Sequence, residues 1–380
     1  MKNGLIEWDH HEIPENEIWR RIEAIQEKMR AENFDGLILF GDVNESGAVN
    51  YFSNFAPYYF SAALILPQSG EGLMTTAMAQ RGKPWIQSNS LTQDVRFERN
   101  YGKGCSAVLK ELKMEHYRIG IVEMDLFPYP ALIEIRKEFP QVEFIDATET
   151  VNELRLIRSP VEMNLIRRAG QIARECLEGI LKNWNFQKEC EVAAEIERQA
   201  RYRRCEDIFV HITSHGRGGR WLHLPTEEKL EHEVMVELMV QYKNYWADIG
   251  RTIIPKNVDT SLLHLKRKAE RIYSKAIQNL KPGVMVSDIF EEIKRDVNKG
   301  VKILSSIGFG LYMESMQRAW INDRDSRKYN HVKLEENMEI IFQFGLLDTT
   351  DSNKFLIQDT FLIGKGGAQN LTETSFVLTY

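Results

Sequence analysis

Hydrophobic and polar residues recur along the first 150 residues with the periods of helices and short buried strands. The stretch 17–33 carries isoleucine or methionine at every third or fourth position, which predicts an amphipathic helix that ends at Asp35-Gly36. Further apolar runs predict buried strands at 37–41, 62–67, 118–124 and 142–147. Helices are predicted between them, for example at 106–113 and 129–139. Alternating strands and helices indicate an α/β layer structure, and the order near 118–147 predicts a parallel crossover.

The pattern changes near residue 155. A long helix is predicted to follow, and Ser159-Pro160 is a favourable start because serine caps free amide groups and proline fits the first turn. We therefore expect two domains, an N-terminal domain over 1–155 and a C-terminal domain over 156–380. The length of 380 residues is also typical of two domains.

The second half of the chain predicts helices packed on a sheet. Helical patterns extend to about residue 203 and return at roughly 260–300, where Lys281-Pro282-Gly283 marks a turn. The strand-like runs lie at 207–213, 233–255, 338–347 and 354–364. Short strands of this kind, with few helices between them, predict a largely antiparallel sheet and an α+β fold for this half.

Charge and hydropathy exclude some classes of partner. The net charge of -6 disfavours broad binding to nucleic acid or anionic membranes, because both would repel the chain. The N-terminus lacks the apolar core of a secretion signal, and no run of 18 apolar residues predicts a membrane span. We therefore expect a cytoplasmic protein that binds neither nucleic acid nor membranes.

The spacing of the cysteines also predicts a cytoplasmic protein. They are scattered and form no CxxC pair, so we expect reduced, buried and unreactive thiols, although a catalytic thiol stays an alternative. The four positions are Cys105, Cys176, Cys190 and Cys205.

Longer motifs extend over both halves of the chain. NELRLIRSPVEMNLIRRAG opens the second half, a loop histidine precedes two strands that end in Tyr245-x-x-Asp248-x-x-Arg251-Thr252, and MEIIFQFG and FLIQDTFLIG follow near the end. Together with DGLILFGDVNESGAVNYFSNFAP in the first half, these motifs resemble the creatinase/prolidase/aminopeptidase P family. The resemblance implies a creatinase-type N-terminal α/β domain and a pita-bread C-terminal domain.

The resemblance also identifies where the metal ligands of this family would lie. Active members hold two divalent ions with two aspartates, one histidine and two glutamates. The corresponding positions here are Glu237, Asp248, Ile307, Gln343 and Gln358. Isoleucine has no lone pair, glutamine offers only a neutral amide oxygen, and the negative charge falls from four to two. We therefore expect no two-metal cluster and no other cofactor, with one weak ion on Glu237 and Asp248 left open.

A histidine is the candidate proton-transfer group. His223 matches the family's loop histidine, and in creatinase, which works without metal, the matching residue transfers the proton. A neutral imidazole can do this near pH 7 without an ion. The alternative is an ordinary surface histidine. No counterpart of the family's second active-site histidine is evident near 312–314, so the creatinase mechanism does not transfer directly.

Other residues are candidates for substrate binding. Glu237 and Asp248 could hold a guanidinium or amine, because two carboxylates without their cations repel each other. Arg251 is not the obvious partner of Asp248, because side chains three apart on a strand point to opposite faces. Gln343 and Gln358 could orient a substrate, or they could be polar groups satisfied inside the sheet. The remaining candidates are His215 and Arg217, beside His211 and Arg220 in the segment before His223, and Glu314. A solvated loop is the alternative for the basic residues, whose guanidinium groups would otherwise suit a substrate carboxylate.

Three functions follow, in order of support. The first is a metal-independent, creatinase-like hydrolase that acts on a C–N bond of a small amino-acid-like or guanidino compound, with His223 as proton-transfer group. The second is a catalytically retired relative that serves as a binding or scaffold module. The third is an active Xaa-Pro metallopeptidase, which the altered ligand positions disfavour. The resemblance implies a homodimer, and the expected partner is a small molecule that carries positive charge in the first function.

Overall fold

The computed structural model divides the chain into two compact units, one built on the residues up to Leu156 and one on those from Ile157 onward. The described residues are 7–114, 118–182, 184–214, 222–230, 233–256, 260–297, 301–303, 308–311, 319–322, 332–348 and 353–379.

The first unit is a mixed sheet with helices packed against it. Its helices are α1 (Glu15–Glu32), α2 (Gly47–Ser53), α3 (Lys83–Ser88), α4 (Tyr101–Glu111), α5 (Tyr129–Glu138) and α6 (Thr148–Leu156). Its strands are β1 (Gly36–Asp42), β2 (Ser61–Pro67), β3 (Leu73–Thr76), β4 (Val95–Phe97), β5 (Arg118–Val122) and β6 (Glu143–Asp146). The strand order is β4-β3-β2-β1-β5-β6, and β5 and β6 pair in parallel, which confirms the predicted crossover.

Two differences from the predicted elements have physical causes. α1 stops at Glu32 because Asn33 adopts the left-handed conformation with φ 59°, a conformation typical of the residue that follows a helix. α2 was not predicted. All seven of its residues are buried, so it shows none of the polar and apolar alternation by which a helix is recognised in sequence.

The second unit is a sheet with helices packed against it. Its helices are α7 (Pro160–Lys182), α8 (Glu189–Tyr202), α9 (Thr260–Gln278) and α10 (Val286–Asp296). Its strands are β7 (Asp207–Thr213), β8 (Val234–Tyr242), β9 (Tyr245–Ile254), β10 (Val301–Ile303), β11 (Gly308–Leu311), β12 (Ala319–Asn322), β13 (Glu339–Asp348), β14 (Lys354–Gly364), β15 (Gly367–Asn370) and β16 (Val377–Thr379).

The order of the central strands is β12-β11-β13-β14-β9-β8-β7, and each neighbouring pair is antiparallel. Only β16 adds a parallel partner, to β9, among the described strands of this sheet. The largely antiparallel prediction is confirmed. The predicted run 233–255 is divided into β8 and β9. A tight hairpin turn at Lys243 and Asn244, with φ values of 51° and 66°, joins the two strands.

The start of α7 is held by a reciprocal cap. The Ser159 hydroxyl accepts a hydrogen bond of 3.2 Å from the Glu162 amide, and the Glu162 carboxylate accepts one of 2.9 Å from the Ser159 amide. The predicted helix start is therefore confirmed.

The helices define one face of the sheet. Tyr245 on β9 donates to Glu162 of α7, and Tyr273 of α9 donates 2.9 Å to Asp359 on β14. Arg251 on β9 lies on this face too and pairs with Asp359 at 2.7 Å, not with Asp248. Because side chains alternate along a strand, Trp246, Asp248 and Gly250 must point to the other face. Among the described helices, none is long and apolar enough to cross a membrane.

Candidate active site

Five side chains form a continuous hydrogen-bonded row on the face of the sheet that points away from α7 and α9. His211 Nδ1 lies 2.7 Å from Glu237 Oε2. Gln343 Nε2 donates 3.2 Å to Glu237 Oε1 and also donates to Gln358 Oε1. Gln358 Nε2 in turn donates 3.1 Å to Asp248 Oδ2. We call this row of His211, Glu237, Gln343, Gln358 and Asp248 the carboxylate–amide network.

Strand register explains why these residues meet. His211 on β7 stands directly opposite Glu237 on β8, and Glu237 stands opposite Gly250 on β9. Gly250 is paired with Gln358 on β14, which is paired with Gln343 on β13. Four members of the network therefore lie on one line across the sheet, and Asp248 lies beside that line, two residues before Gly250 on β9. At the centre of the line, a Cβ on Gly250 would lie 2.8 Å from the Gln358 Cβ, so glycine leaves the room that this glutamine occupies.

The network is buried at one end and open at the other. Asp248 and Gln358 are 0% exposed, whereas the side chains of Glu237 and His211 are 12% and 33% exposed. Thr360 fixes the buried end, because its hydroxyl accepts 2.7 Å from the Asp248 amide and donates 3.0 Å to the Asp248 carbonyl. A small molecule from solvent would therefore meet His211 and Glu237 first.

The chemistry of the network does not fit two divalent ions. Metal ions of this kind need oxygen or nitrogen lone pairs directed at them, preferably several anionic ones. Here the amide N–H groups of Gln343 and Gln358 are directed at Glu237 and at Oδ2 of Asp248, so a neutral donor occupies one oxygen of each carboxylate. The position that the resemblance assigns to the metal-binding imidazole, Ile307, lies outside the described residues.

His223 lies apart from this network. Its backbone pairs with Ile212, and Ile212 is on the opposite face of β7 from His211. His223 Nδ1 donates 2.8 Å to the Leu224 carbonyl, so in the neutral ring Nε2 carries the lone pair. Nε2 is buried and has no hydrogen-bond partner among the described residues.

A second group of potential ligands surrounds His223. In the described part of the chain, Glu189, His223 and Glu228 are the one set of three with metal-like spacing. Glu189 Oε1 accepts from the amide and hydroxyl of Ser214 at 2.8 and 2.9 Å, and Oε2 accepts from the amide and hydroxyl of Thr226 at 3.1 and 2.7 Å. Four donors fill the lone pairs of this carboxylate, so Glu189 serves to hold the loop that carries His223.

Apolar side chains flank the carboxylate–amide network on the same face. Trp246 and Ile341 are buried, and the half-buried Phe209 and Met239 pack against them. The rings of Phe209 and Trp246 are 5.7 Å apart. Met239 stands between Phe209 and Asp248 in the strand register, so the apolar group borders the buried end of the network.

The structure thus joins Glu237, Asp248, Gln343 and Gln358 and leaves His223 outside their hydrogen bonds. His215, Arg217 and Glu314, like Ile307, lie outside the described residues, and their roles stay predictions. His211 was missed as a member of the network. The sequence shows only that His211 lies two residues after Phe209 on a predicted strand, and therefore on the same face of that strand. Its pairing with Glu237 depends on the register of β7 and β8, which the intervening segment conceals.

An α/β unit followed by an antiparallel sheet backed by helices defines the two-domain, pita-bread class of protein. The chain belongs to metallopeptidase family M24, because the model of that family matches residues 164–365. The model of the creatinase/prolidase N-terminal domain matches residues 21–157. The fold class and the family resemblance deduced from the motifs are therefore confirmed.

The similarity to two relatives covers nearly the whole chain. An Xaa-Pro dipeptidase of Pyrococcus horikoshii is 25% identical over 90% of this chain and 97% of its own length. An uncharacterized peptidase of Methanocaldococcus jannaschii is 22% identical over 93% of this chain and 95% of its own.

Solved structures show the same fold. The prolidase from Pyrococcus horikoshii OT3 matches with a TM-score of 0.77 and 20% identity, over 94% of this chain and 99% of that chain. The X-Pro aminopeptidase from Thermotoga maritima MSB8 matches with a TM-score of 0.80 and 17% identity, over 94% and 99%. Family membership indicates a hydrolase of the peptidase class, and these names do not point to a creatinase.

Proposed function

We propose that the protein is a hydrolase that cleaves a C–N bond in a small amino-acid-like or guanidino compound without a pair of metal ions. The observation that carries this proposal is the Gln343 amide, which donates to Glu237 and to Gln358. Neutral amides thereby take the place that anionic ligands would need to occupy around two cations. Family membership supports the hydrolytic part of the proposal.

The proton-transfer group in this proposal is His223. Because Nδ1 is bonded to the Leu224 carbonyl, Nε2 is the basic nitrogen of the ring. Nε2 takes a proton from water as the water oxygen forms a bond to the carbon of the scissile C–N group. The C–N bond then breaks, and the imidazolium returns the proton to the leaving nitrogen. The charge balance of these steps needs no metal.

Substrate charge would be recognised at the open end of the network. Both Glu237 and Asp248 were expected to hold a cationic group. Asp248 is 0% exposed and accepts a hydrogen bond from Gln358, so Glu237 is the carboxylate that solvent reaches. His223 pairs with Ile212, on the face of β7 opposite His211 and Glu237. Charge recognition at Glu237 and proton transfer by His223 are therefore separate parts of the proposal, and each needs its own test. The Xaa-Pro dipeptidase names of relatives add peptides to the amino-acid-like candidates.

A binding module that has lost catalysis is the second candidate. The observation that favours it is the buried end of the network, where Gln358 donates a hydrogen bond to Asp248 and neither residue is accessible to solvent. Such a protein would bind a small molecule at Glu237 and release it unchanged. The resemblance implies a homodimer, which is compatible with both candidate functions. Light scattering on the purified protein would test the dimer.

The test is a turnover screen after chelation. Protein dialysed against EDTA is incubated with dipeptides, N-acyl amino acids and guanidino compounds, and products are read by mass spectrometry. We expect turnover by the wild type and a loss of at least about 100-fold in His223→Gln, which removes the base. His264→Gln is the matched control, because His264 is exposed on α9.

Two outcomes contradict the proposal. Activity that chelation abolishes and a divalent ion restores would show a metallopeptidase. Thermal stabilisation by a compound with no product formed would show the binding module.

A further inference from the structure

Two buried polar atoms on the face that carries the network have no hydrogen-bond partner among the described residues. They are Nε1 of Trp246 and Oε1 of Gln241, in residues that are each 1% exposed. The two residues are directly opposite each other on β9 and β8. Directly opposed residues of an antiparallel pair project their side chains from the same face.

The two atoms have complementary roles. The indole Nε1–H is only a donor, and an amide Oε1 is only an acceptor. Leaving both unsatisfied in the protein interior costs free energy, so such groups call for an explanation by water or ligand. A donor and an acceptor side by side match one chemical group in particular, the secondary amide, which offers a C=O and an N–H.

The surroundings suit a ligand with apolar substituents on that amide. Phe209, Met239 and Ile341 pack around Trp246, and Phe209 and Met239 are only half-buried. Met239 of this apolar group stands directly opposite Asp248 of the carboxylate–amide network. An amide held here would lie beside the network on the same face.

We propose that Trp246 and Gln241 form an amide-recognition subsite. The indole N–H donates to the substrate carbonyl, Gln241 Oε1 accepts from the substrate N–H, and the apolar group contacts the substituents. The inference rests on the proposed hydrolase and deepens it, because it selects amides with apolar substituents over guanidino compounds as the substrate class.

A matched pair of ligands tests the subsite by binding alone. The probes are N-benzylisovaleramide and its N-methyl derivative, which keeps the carbonyl and lacks the N–H. Isothermal titration should show about tenfold tighter binding of the secondary amide to the wild type. In Gln241→Met, which has similar length and no such acceptor, that ratio should fall to about one.

The indole is tested separately. Trp246→Phe removes the donor and should weaken both probes about tenfold, because both have a carbonyl. Trp85→Phe, a half-buried tryptophan of the first unit, is the control and should leave both affinities unchanged. Circular dichroism checks that each variant is folded, and the ligand ratio in Gln241→Met tests the subsite even if Trp246→Phe does not fold.

An unchanged ligand ratio in Gln241→Met overturns the proposal. So does a high-resolution map at saturating probe in which a water bridges Nε1 and Oε1. Binding with the expected ratio but no turnover of any compound would retain the subsite and reject the hydrolase, so the two failures are distinguishable.

Discussion

Gln358 donates a hydrogen bond of 3.1 Å to Asp248, and neither residue is exposed to solvent. A buried carboxylate is stable only with a partner, and here the partner is a neutral amide on the neighbouring strand. This relationship makes the site sensitive to any change that replaces the amide with a second negative charge.

The first prediction concerns that replacement. Gln358→Glu would place two carboxylates together without a cation, which should lower the free energy of unfolding by about 2–4 kcal/mol at pH 8. The loss should be smaller at pH 5, because one of the two acids can then hold a proton. Urea denaturation at both pH values measures the loss, with Gln369→Glu, at an exposed residue of β15, as the control. Equal stability of Gln358→Glu and the wild type would contradict this prediction. So would a variant that binds two Mn²⁺ ions per chain and thereby regains the stability of the wild type.

The second prediction concerns metal content. The wild-type protein purified without chelators should contain far fewer than one transition metal ion per chain, because an amide N–H is directed at each carboxylate where a cation would have to bind. Elemental analysis by plasma mass spectrometry measures the ratio, and Mn²⁺ or Zn²⁺ should not raise the melting temperature. Two ions per chain after dialysis would be incompatible with the proposed hydrogen-bonding role of Gln343 and Gln358.

The third prediction concerns Glu123 in the first unit. Burial raises the pKa of its carboxyl from 4.5 to about 7, with Glu45 adding to the rise and Arg155 opposing it. Between these pH values the folded protein holds a proton that the unfolded chain has lost, so stability falls as pH rises from about 4.5 to 7 and levels off above. The full loss is about 3 kcal/mol.

Glu123→Gln cannot lose a proton, and it should remove this slope. Urea denaturation of the wild type and the variant at pH 5, 6, 7 and 8 measures the difference. Glu143→Gln on β6, where the residue is exposed, is the control and should keep the wild-type slope. Identical slopes in the wild type and Glu123→Gln would remove Glu123 as the source.

The fourth prediction concerns the thiols. Burial raises the pKa of Cys105 and of Cys176 to about 12, and Cys205 is buried as well. Desolvation and a hydrogen bond to Glu227 raise the pKa of the Cys190 thiol as well, but this thiol is only half-buried, so a reagent can reach it. A disulfide reagent at pH 8 should therefore label about one thiol per native chain and four after denaturation, since thiolates are the reactive form. Cys190→Ser should abolish the native labelling, and persistent labelling in that variant would locate the reactive thiol elsewhere.

The fifth prediction concerns Gly250. An added Cβ would lie 2.8 Å from the Gln358 Cβ, so Gly250→Ala must shift β14 or the glutamine and should cost about 2 kcal/mol of stability. Gly366→Ala is the matched control, because nothing lies within 4 Å of its Cβ position. Thermal unfolding compares the two, and equal melting temperatures would show that the sheet relaxes without cost.

Motifs with fixed internal spacing were read correctly from the sequence. Ser159-Pro160 starts a helix because the cap involves residues three apart. The turn at Lys243 and Asn244 is also local, but the single predicted run 233–255 did not locate it. The positions of Glu237, Asp248, Gln343 and Gln358 came from the family motifs, and their meeting in one network follows from the strand order and register of the fold.

Contacts that depend on register or on complete burial were not predictable. The pairing of His211 with Glu237 needs the alignment of β7 with β8 across a long connection. The fully buried α2 leaves no periodic pattern, and the full burial of Asp248 arises only when the strands have assembled. These features follow from tertiary packing, which a local pattern does not record.

The side chains of Gln343 and Gln358 tie four strands of the second unit together through hydrogen bonds that the polypeptide itself provides. Because these cross-strand hydrogen bonds come from the chain's own side chains, we expect the sheet to remain folded when the protein is produced in metal-depleted medium.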